Sequence, residues 1–176
     1  MLAMRRLLAA IPFMVCAIAA QERGALLVAT TASHDVDFSR TVVLVIEHDT
    51  QHTTGLMLNH PVKIPLPELL HAGKDQTAWA GGPILLGVNA LLRAKTARRD
   101  AELVLPHVYL ITDKQRMREE IAAGATMRVY LGMCGWGAGQ LESEIRRGLW
   151  RVVPGSADAV FDGTPGTLWE RLTRAP

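Results

Sequence analysis

Short apolar runs without helical periodicity dominate the first half of the chain, and they predict buried strands. The segments 24–30 (GALLVAT) and 41–48 (TVVLVIEH) are uninterrupted, and the second is rich in β-branched residues. A polar turn at 49–55 leads into a third run at 56–59, so residues 41–59 are expected to form a β-hairpin. Further strands are predicted at 79–82, 89–94 and 107–112.

Helical periodicity begins in the second half of the chain. Thr112 or Asp113 can cap a helix at 114–123, and apolar residues recur every four positions at 141–149. Two shorter helical segments are predicted at 67–72 and 168–172. Because no internal repeat or linker interrupts this order, one domain of mixed α and β structure is expected.

The segment 131–142 (LGMCGWGAGQLE) breaks an apolar run on spaced glycines and resumes as an amphipathic pattern. We predict a strand, a glycine loop and the start of a helix. Backbone amides at such a helix start can bind phosphate, but no lysine follows and Glu142 falls in the first helical turn. A self-capping junction is therefore favoured, in which Gln140 or Glu142 accepts from free amides and Trp136 packs across the loop.

The first twenty residues differ in character from the rest of the chain. Arg5 and Arg6 precede 14 uncharged residues, at 7–20, which end in small side chains. This order is typical of a secretory signal peptide, and the run is shorter than the ~20 residues of a membrane span. We expect residues 1–20 to be a signal peptide and residues 21–176 a single exported domain, periplasmic or secreted, without a membrane span. The alternative is a retained N-terminus in a cytoplasmic protein.

Removal of this leader changes the charge balance of the protein. The whole chain carries 19 Lys and Arg against 17 Asp and Glu, and loss of Arg5 and Arg6 leaves 17 against 17. A neutral domain has no overall field that draws it to phosphate backbones, so strong nucleic-acid binding is not expected. Cys134 is the one cysteine of the exported domain, so no intrachain disulfide is expected there, and a buried packing role is favoured for this side chain.

Titratable side chains in the first half lie in predicted loops and at predicted strand ends. His48 and His52 are four residues apart, but the predicted elements are a strand and a turn rather than a helix, so no metal site is predicted. Asp35 and Asp37 lie in a loop before a strand, where carboxylates usually accept from local amides. No G-x-S-x-G motif is present, and no cofactor is expected.

Several short motifs follow one another in the order of a known bacterial family. They are Asp35, Phe38 and Thr41-Val42; Glu47-His48; Gly55, Asn59 and Pro61; Gly81-Gly82-Pro83; and Gly135-Trp136 with Gly139-Gln140-Leu141-Glu142. Over about residues 24–173 the chain resembles the AlgH/YqgE-like family. The resemblance implies an α+β fold whose bent mixed sheet forms a pseudo-barrel, with three or so helices packed outside. The leader departs from this family, whose members are usually cytoplasmic.

The residues that carry the resemblance are mostly Gly, Pro, Trp and Asn, which shape the backbone rather than transfer protons. The sequence therefore favours a non-enzymatic binding or regulatory domain for a small ligand or a protein, with a groove beside the two glycine motifs. The candidate ligand-binding residues are Asp35, Asn59, Gly81, Gly82, Gly135, Trp136, Gln140 and Glu142. Two alternatives stay open: a transcriptional regulator, as some family members are described, and an enzyme that uses His48, Asp35 or Glu142 as acid or base.

Overall fold

A computed structural model describes residues 22–33 and 35–174, so the predicted signal peptide lies outside the described residues. The strands of this part of the chain are β1 (Ala25–Ala29), β2 (Val42–His48), β3 (His52–Met57), β4 (Pro61–Pro65), β5 (Thr77–Ala80), β6 (Ile84–Arg93), β7 (Glu102–Leu105), β8 (Val108–Ile111), β9 (Met127–Gly137) and β10 (Trp150–Pro154). The helices are α1 (Leu66–Leu70), α2 (Lys114–Ala122), α3 (Gln140–Arg146), α4 (Ala157–Val160) and α5 (Leu168–Arg174). A 3-10 turn at Pro165–Thr167 precedes α5.

The strands form one curled, mainly antiparallel sheet. Along its main path the order is β10-β1-β2-β3-β9-β6-β8-β7, while β5 pairs with β4 and lies parallel to β9. The first half of β9 lies between β6 and β5, and its second half pairs with β3. The sheet curls around this long strand into a half-barrel with helices packed around it, which confirms the α+β fold that the family resemblance implies.

Three groups of buried apolar residues hold the sheet and the helices together. Leu26 and Leu27 belong to different groups because successive side chains of a strand point to opposite faces. The group inside the half-barrel also receives side chains from α4 and α5, and it includes Leu44, Leu56, Tyr130, Val160 and Leu168. On the other face, α1 and α2 pack on a second group, and α3 packs on a third that includes Trp136, Leu141 and Trp150.

Local sequence patterns located two parts of this fold well. The hairpin predicted at 41–59 is confirmed as β2 and β3, but its turn is shorter than the predicted 49–55, because β3 begins at His52 and pairs with β2 from there. The helix predicted at 114–123 is confirmed as α2, and its N-terminus is capped by Asp113, whose carboxylate accepts from the backbone N–H of Arg116 at 2.7 Å. This cap satisfies one of the amides that have no partner within the helix.

The predicted glycine loop is shorter than expected. β9 continues through Gly135 to Gly137, so a strand occupies most of the segment that the spaced glycines led us to interpret as a loop. Pairing with β3 explains this difference: Thr54 lies opposite Gly135, so this part of the segment has a strand partner that a loop would not have. Only Ala138 and Gly139 separate β9 from α3.

Other elements of the sheet and its cover were not predicted from the sequence. β4, β7 and β10 are short strands, and β4 begins and ends with proline. Five helices accompany the sheet rather than three or so: α1 corresponds to the short helix predicted at 67–72, whereas the single turn α4 was not predicted. Within residues 22–33 and 35–174, no helix is both long and apolar enough to cross a membrane.

Candidate functional site

The glycines of the Gly81-Gly82 motif pack against the backbone of β9. Both are buried; a Cβ atom on Gly81 would overlap the carbonyl oxygen of Gly132, and one on Gly82 would overlap the backbone of Met133. The backbone N–H of Gly81 donates to the carbonyl oxygen of Leu131 at 2.7 Å. The close approach of two backbones therefore accounts for this motif, and neither cavity described below is lined by it.

Gln140 bridges the turn between β9 and α3, but the predicted side-chain cap on the first amides of the helix is not formed, since the N-cap residue is Gly139. The side chain of Gln140 accepts from the backbone N–H of Gly137 at 3.1 Å, and its amide donates to Glu144 at 3.0 Å. Gly139, with φ of 70°, immediately precedes the helix. Glu142 lies in the first helical turn, where its negative charge is favourable. The side chain of Gln140 therefore satisfies an amide at the end of β9 and not one of the free amides of α3.

Glu144 holds together a cluster of three aromatic rings. Its Oε2 atom accepts from the indole N–H of Trp136 at 2.9 Å and from that of Trp150 at 2.8 Å. The two indoles meet edge to face with 5.9 Å between centroids, and Phe38 packs against both. Sequence reasoning missed Glu144, although its position four residues after Gln140 places the two side chains on one helix face. Trp136 is thus held in the packed interior rather than in a groove.

Asn59 and His60 secure the end of the β2–β3 hairpin. The side chain of Asn59 accepts from the backbone N–H of Val42 at 2.9 Å and donates to the carbonyl oxygen of Arg40 at 2.8 Å. Nε2 of His60 lies 2.9 Å from the hydroxyl of buried Thr41, and burial lowers the pKa of this imidazole. Asn59 therefore bonds to the backbone through both its amide oxygen and its amide nitrogen.

The three candidate acids or bases lie in separate local settings. Asp35 accepts from the backbone N–H of Asp37 at 2.9 Å, which is the capping role expected for this loop. Nδ1 of His48 lies 2.7 Å from the hydroxyl of Thr53 across the hairpin, and Glu142 belongs to α3. In the described part of the chain, no hydrogen bond or ion pair joins any two of these three candidate side chains.

The tip of the β2–β3 hairpin is polar and charged. The ring of His52 lies 3.4 Å from a carboxylate oxygen of Glu47 and 3.2 Å from one of Asp49. The backbone N–H groups of His52 and Gln51 donate to Asp49, and these hydrogen bonds lower the pKa of its carboxyl. Across residues 22–33 and 35–174, no three His, Cys, Asp or Glu side chains are grouped so that they could hold a metal ion.

Cys134 is a buried packing residue, as expected from the sequence. Its Sγ atom lies 3.5 Å from the carbonyl oxygen of Gly81, between the two closely packed strands. Burial raises the pKa of the thiol, which disfavours the thiolate. Because the thiolate is the nucleophilic form of cysteine, this environment gives the side chain no reactive role.

A cavity of about 550 Å³ opens at the seam where the two ends of the curled sheet meet. β7 ends the sheet on one side of this seam and β10 ends it on the other. The cavity is lined by residues 22–25, 103–106 and 152–155. We refer to it as the seam cavity. Its volume falls within the ~300–1,000 Å³ that is usual for small-molecule sites.

The two sheet ends are held together beside the seam cavity. A Cβ atom on Gly24, which directly precedes β1, would lie 2.9 Å from the carbonyl oxygen of Val104 in β7, so the two backbones approach closely there. Arg23 crosses the seam, because its Nη2 atom lies 2.6 Å from Glu102 and its Nε donates to the carbonyl oxygen of Ile46 at 2.6 Å. These contacts set the width of the seam.

Aliphatic side chains form most of the wall of the seam cavity. They come from β7 and β10 and are Leu103, Val104, Leu105, Val152 and Val153. Leu103 is 53% exposed, so apolar surface faces the opening of the cavity. The sequence analysis missed this site because its two walls are far apart along the chain and no local pattern marks their approach. None of the eight sequence-predicted site residues lines it, and ligand binding by those eight stays a prediction.

A second cavity, of about 260 Å³, lies beside β1 and α5. It is lined by Val28, Ala29, Thr30, Thr31, Arg151, Trp169 and Thr173. The indole N–H of Trp169 donates to the carbonyl oxygen of Ala29 at 2.7 Å, and the guanidinium of Arg40 lies 5.1 Å from the ring centroid. These contacts tie α5 to the sheet, so this cavity is bounded by a structural anchor and is smaller than most small-molecule sites.

Relatives of this chain extend over most of its length. A sequence model of the AlgH-like family matches residues 26–175. A UPF0301 protein of Thermobifida fusca is 36% identical over an alignment that covers 86% of this chain and 85% of its own. A UPF0301 protein of Streptomyces coelicolor is 34% identical and is covered to 84%, again with 86% of this chain aligned.

Solved structures share the fold described above. A crystal structure of a Corynebacterium diphtheriae protein matches with a TM-score of 0.74 at 24% identity, covering 88% of this chain and 87% of its own, and it is similar in fold alone. The solution structure of the AlgH protein from Pseudomonas aeruginosa matches with a TM-score of 0.68 at 27% identity, covering 86% of this chain and 85% of its own. Together with the family match over residues 26–175, these likenesses show that the chain belongs to the AlgH-like family.

Proposed function

We propose that this protein is a non-enzymatic binding domain that holds an apolar ligand in the seam cavity. The observation that carries the proposal is a cavity of about 550 Å³ whose wall is formed mainly by the aliphatic side chains of β7 and β10. A wall of this kind favours a ligand through the removal of apolar surface from water, which is worth about 25 cal/mol per Å². The ligand class that fits is a small molecule with a hydrocarbon body.

The chemistry of the lining supports binding rather than catalysis. Glu22 and Arg23 are the ionisable residues that line the cavity, and Arg23 is engaged with Glu102 and the backbone of Ile46. His48, Asp35 and Glu142, the acid or base candidates, lie outside the lining. General acid–base catalysis requires such a group within hydrogen-bond reach of the substrate, so a ligand in this cavity meets no positioned proton donor or acceptor among them.

The placement of surface arginines favours a ligand-binding domain over a regulator that binds nucleic acid. Several of them face carboxylates: Arg93 lies 2.5 Å from Asp158, and Arg99 lies 3.1 Å from Asp100. Phosphate binding depends on basic side chains that exchange condensed counterions for protein contacts. After residue 20 the chain has 17 basic and 17 acidic residues. Arginines that are already neutralised by carboxylates release few counterions from phosphate and so contribute little to the binding free energy.

The proposal is tested by titrating residues 21–176 with N-phenyl-1-naphthylamine, a neutral apolar probe that fluoresces on leaving water. We expect saturable binding, and we expect Leu103→Asp to weaken it by at least about tenfold, because a charge then replaces apolar wall at the opening. The matched control is Leu85→Asp, which changes another exposed leucine, 81% exposed and outside the lining. Equal effects of the two substitutions, or no saturable binding by the unsubstituted domain, would refute a site in the seam cavity.

A further inference from the structure

We infer that the ligand of the seam cavity carries a cationic amine head on its hydrocarbon body, and that Glu22 selects this head group. The inference rests on the proposed function and names the ligand class of the same site. It means that the cavity prefers an alkylamine to an alkyl carboxylate of the same chain length.

The charges at the wall of the seam cavity are the first argument. Glu22 and Arg23 line the cavity, and the guanidinium of Arg23 is held by Glu102 at 2.6 Å and by the carbonyl oxygen of Ile46 at 2.6 Å. Within residues 22–33 and 35–174, no hydrogen bond or ion pair engages the carboxylate of Glu22. The charge that the wall leaves for a ligand is therefore negative.

The hydrogen-bonding groups of the same wall are the second argument. A carboxylate ligand accepts hydrogen bonds and needs N–H donors, whereas an ammonium group donates three and needs acceptors. The backbone N–H groups of Gly24 and Ala25 already donate to carbonyl oxygens of the protein, at 2.8 and 3.0 Å. Pro106 and Pro154, which also line the cavity, have no backbone N–H. These parts of the wall offer a ligand acceptors, the carboxylate of Glu22 among them, rather than donors.

The charge balance of the whole domain makes this local preference measurable. After residue 20 the chain has 17 basic and 17 acidic residues, so the overall charge attracts neither a cationic nor an anionic ligand. Glu22 is exposed, and ion pairs of exposed side chains are weak and screened by salt. We therefore expect a preference of a few-fold, added to the binding that the aliphatic wall gives to any alkyl chain.

The test measures displacement of N-phenyl-1-naphthylamine from residues 21–176 by decylamine, decanol and decanoate, which share one alkyl chain and differ in the charge of the head group. We expect decylamine to displace the probe at a concentration at least about threefold below that of decanoate, with decanol between them. Added salt should narrow this difference, because it screens the charge of Glu22.

Glu22→Gln removes the charge of this side chain and keeps its size. We expect the substitution to bring decylamine and decanoate to within about 1.5-fold of each other, because the remaining pair of Arg23 and Glu102 is neutral as a whole. Displacement by decanol should not change. The matched control is Glu68→Gln in α1, which neutralises another exposed glutamate, outside the lining, and should leave the preference as it is.

The outcomes separate this inference from the proposed function. Equal displacement by the three compounds, a preference for decanoate, or no displacement of a saturably bound probe would overturn the inference while the binding site stands. A preference for decylamine that survives Glu22→Gln, or that Glu68→Gln reduces to the same extent, would overturn selection by Glu22. If the probe shows no saturable binding, the proposed function fails as well.

Discussion

Gly81 is a position at which a single added methyl group should destabilise the fold. Its hypothetical Cβ atom overlaps the carbonyl oxygen of Gly132, and a neighbouring methyl of Leu56 is 3.0 Å away. Backbone cannot move aside as a flexible side chain can, so we expect Gly81→Ala to lower the free energy of unfolding by about 1–3 kcal/mol. Urea-induced unfolding followed by circular dichroism measures this loss.

Gly137→Ala is the matched control for that substitution. Gly137 ends β9, as Gly81 directly follows β5, but a Cβ atom on Gly137 has nothing within 4 Å. We expect a change within about 0.5 kcal/mol, as for surface substitutions generally. Similar losses for Gly81→Ala and Gly137→Ala would mean that the approach of Gly81 to Gly132 is not what makes a side chain unfavourable.

For single residues, the sequence indicated which positions matter better than it indicated what they contact in the fold. The Gly81-Gly82 motif was singled out, and its glycines are indeed required by the packing, but against β9 and not around a groove. Asp35 was predicted to cap a local amide, and it does so. The difference is physical: an Asx turn is decided by residues two positions apart, whereas the partner of Gly81 is fifty residues away and is fixed only when the sheet forms.

One carboxylate of α3 anchors the helix to two strands of the sheet. Glu144 accepts from two indole N–H groups, those of Trp136 and Trp150, and both rings are buried. Glu144→Ala would leave these donors without their acceptor, so we expect a loss of about 2–4 kcal/mol in unfolding free energy. Thermal denaturation monitored by tryptophan emission reports both the stability and the environment of the two rings.

Glu142→Ala provides the comparison on the same helix. Glu142 lies in the first turn of α3 and contributes through its interaction with the helix dipole, worth about 0.3–1 kcal/mol. The predicted order is therefore a large loss at 144 and a small one at 142. A reversed order would show that the carboxylate at the helix start carries more of the stability than the one beneath the indoles.

Elements defined by local signals were predictable, and elements defined by distant partners were not. The helix α2 has an Asp113 cap and a regular apolar face, so its start could be read directly from the sequence. β7 and β10 have only four and five residues, and β10 becomes a strand by pairing with β1 at the other end of the chain. The seam cavity lies between these two strands, which is why it was missed together with them.

For the whole molecule, the N-terminal segment bears on where the protein is located. We propose that the protein is exported and that its mature form begins near Ala20 or Gln21, because a basic start, an uncharged run and small residues follow in the order of a signal peptide. Intact-mass analysis of the protein purified from its native host measures the N-terminus, and cell fractionation supplies the control. Recovery of the full 176-residue mass from the cytosol would contradict export and favour the cytoplasmic alternative.

The pairing of β1 with β10 also determines when the nascent chain can complete its sheet. The register places Ala25 opposite Pro154, so β1 leaves the ribosome long before β10, the strand that covers its second edge. At about 5–20 residues per second, the interval between them is roughly 6–25 s. During that interval the nascent protein cannot complete its sheet. A chain with this connectivity stays open to chaperones, and to a translocation channel that accepts only unfolded polypeptide, throughout most of its synthesis.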